Sequence, residues 1–231
     1  MTTMFNSLKK CGCCGKEVRI VTVGSTNTLF GTCDLDMRPP EMLRSAMFAS
    51  LQFCPKCGYT AWDLEEKIKQ TDELKKLLAE PIRARNHVQL FDRAARIAAL
   101  TGSDDDEVNH LYLCAAWAAD DQADAPVAVA MRKKVLANTD LNAYDVLKPE
   151  DYEDAGNSSP TRLEKLLQLV DIARRAGERE IANRLLGKIN EDKLEQLLKK
   201  IAAFQKKLLA DGDTACYTVG DVENKPGGSC R

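Results

Sequence analysis

Histidine is nearly missing from this chain: His87 and His110 are the only two in 231 residues. They do not fall at metal-ligand spacing with each other, so a histidine-based metal site is excluded. A Cys/His nucleophile pair would need one of them beside a thiol. His110 and Cys114 are four apart and can share a helix face, but the neighbours Leu113, Ala115 and Ala116 are apolar and disfavour a reactive thiolate. A glycine-rich phosphate loop is absent: "TVGSTNTLFGT" (22–32) has two glycines and neither G-x-G-x-x-G nor Walker spacing. The G-x-S-x-G elbow of serine hydrolases is absent as well. No run of 18 or more apolar residues is present to span a bilayer, and "MTTMFNSLKK" lacks the apolar core of a signal peptide. The expectation is a cytoplasmic protein without a membrane partner. The formal net charge of −2 gives no global field for nucleic acid. Charge is uneven locally: residues 101–160 carry 13 acidic and 4 basic side chains, and residues 161–209 carry 12 basic and 7 acidic.

Cysteine is abundant instead, with nine residues. In a reducing compartment such a count points to metal binding before a disulfide framework. Cys-x-x-Cys-Gly occurs twice, in "CGCCGKE" (11–17) and "FCPKCGYTAWD" (53–63), against roughly 0.02 copies expected by chance from the chain's own Cys and Gly frequencies. Two cysteines at this spacing can present both sulfurs to one ion from a tight turn. Gly15 and Gly58 tolerate positive φ there, and Pro55 stiffens the second turn. Cys11, Cys14, Cys54 and Cys57 therefore read as four thiolate ligands of a closed structural zinc site, with a rubredoxin-like iron site as the alternative. Cys13 could replace Cys11 or Cys14, but the glycine after Cys14 favours 11 and 14 and leaves Cys13 as a spare thiol. Cys33 is another loose thiol, and Cys114 reads as a small buried hydrophobe. Cys216 and Cys230 have no partner at Cys-x-x-Cys spacing. Each metal turn should sit on a β-hairpin: "EVRIVTV" (17–23) follows the first, and "MFASLQF" (47–53) is the strand expected to lead into the second.

The segments "CGCCGKE", "DLDMRPPE" and "FCPKCGYTAWD" resemble a bacterial family catalogued as domain of unknown function 2225. The resemblance covers residues 11–63 well and the remainder loosely. It implies a zinc-ribbon-like N-terminal module followed by tetratricopeptide-like helices, and it carries no established activity.

After Trp62 the pattern is helical. "TDELKKLLAE" puts Leu74, Leu77 and Leu78 on one face, and Pro81 ends it. Residues 82–100 line up Leu90, Phe91, Ala94, Ile97 and Ala98. Ser103 is the expected N-cap of a helix over 105–121, with Asp104–Glu107 as favourable first-turn acids. That helix and 126–137 form an expected antiparallel pair, with Leu113, Ala116, Trp117, Ala128 and Met131 directed to its interface. A second pair follows at 161–176 and 178–188. Between them, 139–160 reads as an acidic loop. Residues 191–209 are the cleanest amphipathic helix, with a lysine face of Lys193, Lys199, Lys200, Lys206 and Lys207.

The fold class expected is α+β: a zinc ribbon (1–60), an α-helical tetratricopeptide-like region (61–210) and a tail (211–231). The expected function is a non-catalytic adaptor that binds a protein partner. Asp34, Asp36, Arg38 and Glu41 in the ribbon loop, with Lys193, Lys200 and Lys207, are the candidate interaction surface. The bland reading of "DLDMRPPE" is a loop held by an Asp–Arg pair. Nucleic-acid binding is the first alternative, since residues 1–60 carry 7 basic and 4 acidic side chains. Against it, Phe5, Phe30, Phe48, Phe53 and Tyr59 show no interleaving with basic residues. Redox or electron transfer is the second alternative.

Overall fold

The computed structural model describes residues 2–27, 31–41, 43–83, 86–152 and 160–223. It is α+β, with short antiparallel hairpins first and helices after. Packing divides the chain into two compact units, one of Met1–Phe30 with Glu41–Val135 and one of Gly31–Pro40 with Leu136–Arg231. Sequence composition divides the chain near residue 60, whereas packing groups the hairpins with the helices that follow them.

In the first unit, β1 (Thr3–Lys10) and β2 (Glu17–Ser25) pair antiparallel, with Lys10 opposite Glu17 and Leu8 opposite Arg19. The six residues between them form the first cysteine turn. Val18 and Ile20 alternate inward along β2 and join Tyr59, Leu64, Leu74, Leu77 and Ile97 in a core that includes Cys11 and Cys54. The second turn sits on a minimal hairpin, β3 (Gln52–Phe53) with β4 (Thr60–Ala61). The strand expected over 47–53 is therefore mostly not a strand. Helix α1 (Leu43–Ser50) occupies the segment and buries Arg44, Ala46 and Met47, a helical rather than alternating spacing.

Helix α2 (Asp72–Ala79) is capped by Thr71, whose side chain accepts from Leu74 N–H, and buries Leu74 and Leu77. Helix α3 (His87–Thr101) starts at the Asn86 cap and buries the expected stripe of Leu90, Phe91, Ala94, Ile97 and Ala98. Helix α4 (Asp105–Asp121) is capped by Asp104, not Ser103: Asp104 accepts from Glu107 N–H at 2.8 Å. A carboxylate at the cap adds charge to the same hydrogen bond, so it outcompetes the preceding hydroxyl. Leu113, Ala116 and Trp117 of α4 are buried. On α5 (Ala125–Asn138) Ala128 is buried and Met131 is half-buried. Arg132 of α5 pairs with Asp120 of α4 at 2.6 Å, and Lys134 pairs with Asp92 of α3.

The second unit is built on α6 (Arg162–Arg175), which opens with a Thr161/Glu164 capping box and buries Leu163, Leu166, Leu167 and Val170. Helix α7 (Arg179–Leu186) follows the Gly177 break and buries Ala182, Leu185 and Leu186. The helix expected from residue 191 starts five residues later, as α8 (Gln196–Asp211). Asn190 caps a 3-10 turn at Glu191–Lys193, and Leu194 and Glu195 are extended, so Lys193 does not belong to the lysine face. The expected acidic loop contains two 3-10 turns, Leu141–Tyr144 and Pro149–Tyr152, while 153–159 lie outside the described residues. Residues 31–40 pair with the C-terminal segment: Leu35 N–H donates to Tyr217 O at 2.8 Å and Val219 N–H to Cys33 O at 2.9 Å, around a bridge between Asp34 and Thr218. A one-turn helix, α9 (Val219–Val222), ends this segment, and the Gly/Pro-rich end beyond 223 is outside the described residues. Among the described residues, no helix is long and apolar enough to cross a membrane.

Candidate metal centre

The two cysteine turns have the same backbone construction. In the first, Cys11 N–H donates to Lys16 O at 2.9 Å and Gly15 N–H returns to Cys11 O at 2.8 Å. In the second, Cys54 N–H donates to Tyr59 O at 2.8 Å and Gly58 N–H returns to Cys54 O at 2.9 Å. Both turns close through glycine at positive φ, 70° at Gly15 and 79° at Gly58. The repeated pentapeptide thus encodes one repeated shape. The first turn is anchored on the chain that follows the second, since Gly12 N–H donates to Leu64 O at 2.8 Å. Leu64 N–H in turn donates to the buried Gln52 side chain at 2.9 Å.

The turns bring Cys11, Cys14, Cys54 and Cys57 together, with all four Sγ atoms within 4.8 Å of one another. Cys11 and Cys57 lie 3.7 Å apart, and Cys14 and Cys54 lie 3.8 Å apart. A tetrahedron of sulfurs bonded at about 2.3 Å to a central ion has edges of about 3.8 Å, so the donor set and its spacing fit one metal ion. Cys11 and Cys54 are buried while Cys14 and Cys57 are half-buried. All four places of a tetrahedral ion are then taken by protein, which leaves no open position at the metal. Burial pushes the Cys11 thiol up to about 11 and raises Cys57 too. Buried thiols at these distances resist ionising together unless a cation joins them.

Cys13 is not one of the four. Its carbonyl accepts from Gln70 Nε2 at 2.6 Å, and the same nitrogen lies 3.6 Å from its Sγ. Cys13, Cys33 and Cys114 are free thiols. Cys216 is half-buried beside Asp34, and Cys230 lies outside the described residues. His110 Nε2 sits 3.6 Å from Cys114 Sγ, with its ring beside Trp62 and Trp117. Burial lowers the His110 pKa from its ordinary 6.5, and Cys114 is fully enclosed. That environment suits packing rather than nucleophilic attack.

The candidate interaction residues scatter. Asp34, Asp36 and Arg38 are buried, so they cannot present a surface to a partner; Glu41 is exposed. Asp36 finds an arginine as the bland reading of the loop requires: Arg175 of α6, at 2.7 Å. Gln168 of α6 donates to Asp36 O at 2.9 Å. The adjacent Arg174 pairs with Asp171 at 2.7 Å, donates to the carbonyls of Asp213 and Ala215, and lies over the Tyr217 ring. Burial raises the Asp171 carboxyl, only partly offset by Arg174 and Arg175. This Asp36–Asp171–Arg174–Arg175 group does not stand out from local pattern. Its one trace in the sequence is an acid inside the apolar run "LQLVDIA", followed by two arginines. Lys200 and Lys207 are exposed on α8, while Lys193 stands over the Tyr152 ring.

The chain matches no protein-family model, no curated protein and no solved structure.

Proposed function

We propose that the four cysteines hold a structural zinc ion and that the protein works without catalysis, as a scaffold that binds a protein partner. The observation that carries this reading is the closed sulfur tetrahedron: four cysteines from two equivalent turns, with edges that suit zinc and no place left for a substrate. The ribbon-like hairpins have little core of their own, because β3 and β4 are two residues each. Metal binding in small zinc domains contributes on the order of 10–16 kcal/mol, enough to hold them. The exposed Lys200 and Lys207 of α8 offer an acidic partner a place to dock.

Metal content and the visible spectrum of protein purified without chelator test the zinc assignment. One colourless zinc per chain, lost when Cys54 and Cys57 are both replaced by serine, is the expected result. A red protein containing iron would replace the scaffold reading with electron transfer, and a metal-free, folded protein would overturn the site altogether. One observation favours nucleic acid as the second reading: Lys10, Lys16, Arg19 and Lys56 are exposed around the two turns. Binding to a nucleic acid that weakens steeply across a salt series would support it.

A further inference from the structure

The hairpin β1–β2 is built unevenly. Near the cysteines it packs against the core through Val18 and Ile20, but farther out its side chains cover little: Met4 is 51% exposed, Phe5 54%, Leu8 67% and Val21 47%. Among the described residues β1 pairs only with β2, so at its other edge the backbone groups of every second residue, Met4, Asn6 and Leu8 among them, face no further strand. From Thr3 to Leu8 that edge contains no charge, no proline and no glycine, the features by which sheet edges usually repel further strands. A two-stranded ribbon with an open apolar face is marginal in water, and a third or fourth strand is the usual remedy.

We propose that the outer edge of β1 pairs antiparallel with β1 of a second copy of this chain, giving a four-stranded sheet in the order β2–β1–β1–β2. The sequence of β1 fits itself in one register. With Asn6 opposite Asn6 on the two-fold axis, Met4 meets Leu8 of the other copy, and Leu8 meets Met4. These are residues of the same face, because side chains alternate along a strand. The register within each hairpin is known: Met4 faces Val23, Asn6 faces Val21 and Leu8 faces Arg19. The joined sheet therefore carries three continuous rows on this face. They are Val23–Met4–Leu8–Arg19, Val21–Asn6–Asn6–Val21, and the first row again in reverse. Charge selects the same arrangement. Lys9 and Lys10 would stand opposite Thr3 and Thr2, whereas a parallel pairing would set each lysine against its own copy. Lys9 also stays within its own chain, held by Asp63 at 2.7 Å. The contact is self-complementary and closes as a dimer, so it does not propagate into fibres.

Light scattering and native mass spectrometry of the metal-replete full chain over a concentration series test this. The expected result is a species of twice the 25.6 kDa chain mass. Asn6→Lys sets two lysines against each other at the axis and should raise the dimer dissociation constant by roughly fivefold or more. Asn6→Asp should do the same. Mixing the two variants should restore a dimer as the Lys/Asp heterodimer, which native mass spectrometry separates from either homodimer. Asn6 is exposed, so unchanged circular dichroism and metal content show that the variants are folded. A wild-type chain that stays monomeric, including one that takes up a strand from some other protein instead, overturns the proposal. So does a dimer that ignores both substitutions, or a mixture with no preference for the heterodimer.

Discussion

The first unit closes around four sulfurs; the second closes around two carboxylates, Asp36 and Asp171, and two guanidiniums, Arg174 and Arg175. Both bury groups that water would otherwise solvate. The second supplies its own counter-charges from the chain, with both ion pairs at 2.7 Å. The first gathers groups that all become anions, and the polypeptide offers nothing at their centre to balance them. The difference is between a core whose charges are balanced within the chain and one whose donor set fits an ion from outside. Neither device is a free gain. Burial pushes the Asp171 carboxyl up, against the pull of Arg174 and Arg175, so desolvation opposes the buried pair.

The largest effect that would sharpen this contrast is metal removal. Replacing Cys54 and Cys57 with serine, or adding a strong chelator, removes on the order of 10–16 kcal/mol, comparable to a typical domain's whole stability. Trp62 and Trp117, the chain's two tryptophans, both lie in the first unit. Their fluorescence should report unfolding there, while amide protons of α6 remain protected from exchange. Loss of protection in α6 to the same degree would erase the distinction between the units.

Next comes the ion pair. Asp36→Ala leaves the buried Arg175 guanidinium without that carboxylate and should destabilise the second unit by about 3–5 kcal/mol in urea unfolding. The double change Asp36→Leu with Arg175→Met should recover most of the loss. An equally damaging double variant would mean the charges themselves, and not their mutual balance, hold the fold.

A smaller effect separates the two cysteine turns. Gly15→Ala and Gly58→Ala each force a side chain into positive φ, at about 1 kcal/mol. A Cβ at Gly15 meets nothing within 4 Å, but at Gly58 it would come 2.7 Å from Arg93 Nη1 and 2.9 Å from Leu78 O. Gly58→Ala should therefore cost a further ~1–3 kcal/mol and weaken metal retention more. Equal melting temperatures for the two variants would contradict this.

The smallest is a pH effect confined to the first unit. Burial lowers the pKa of both His87 and His110 below the ordinary 6.5, against weaker opposing pulls from Asp121 and Glu107. The unfolded chain then binds protons near pH 6.5 that the folded chain refuses, so stability is fully present above 6.5 and falls as the pH drops below it. His110→Phe, which can keep ring packing between Trp62 and Trp117, should flatten that slope in tryptophan-detected denaturation between pH 7 and 5.5. An unchanged slope would assign the effect to other groups.

The parts of this structure that were legible in the sequence are those set by short-range rules. Two copies of Cys-x-x-Cys-Gly specify two identical turns, and four thiols in two turns specify one centre. The stripe from Leu90 to Ala98 and the Gly177 break are local as well. The failures share a cause. "MFASLQF" is apolar at nearly every position and so has no period, and packing by Ala46 and Met47 decides for a helix. Leu194 continues the apolar spacing of α8 but lies before its first turn, because Asn190 starts a separate 3-10 turn. The acids of "DLDMRPPE" look like a surface loop because the arginine that buries one of them, Arg175, is 139 residues away.

That distance has a consequence for how the chain assembles. Residues 31–40 emerge early in synthesis, yet Thr32 hydrogen-bonds to Gly220, 188 residues later, and Asp36 waits for Gln168 and Arg175. At ribosomal speeds of roughly 5–20 residues per second, that interval is about 10–40 s. The first unit has all its sequence by Val135 and can complete itself with this decapeptide looped out. The second cannot finish until the C-terminal segment arrives to pair with it. Nascent chains stalled near residue 175, which leaves Val135 clear of the ribosome, should therefore protect the cysteine turns from protease while leaving Asp34–Arg38 open to cleavage. Protection of both at that length would show that the loop does not wait.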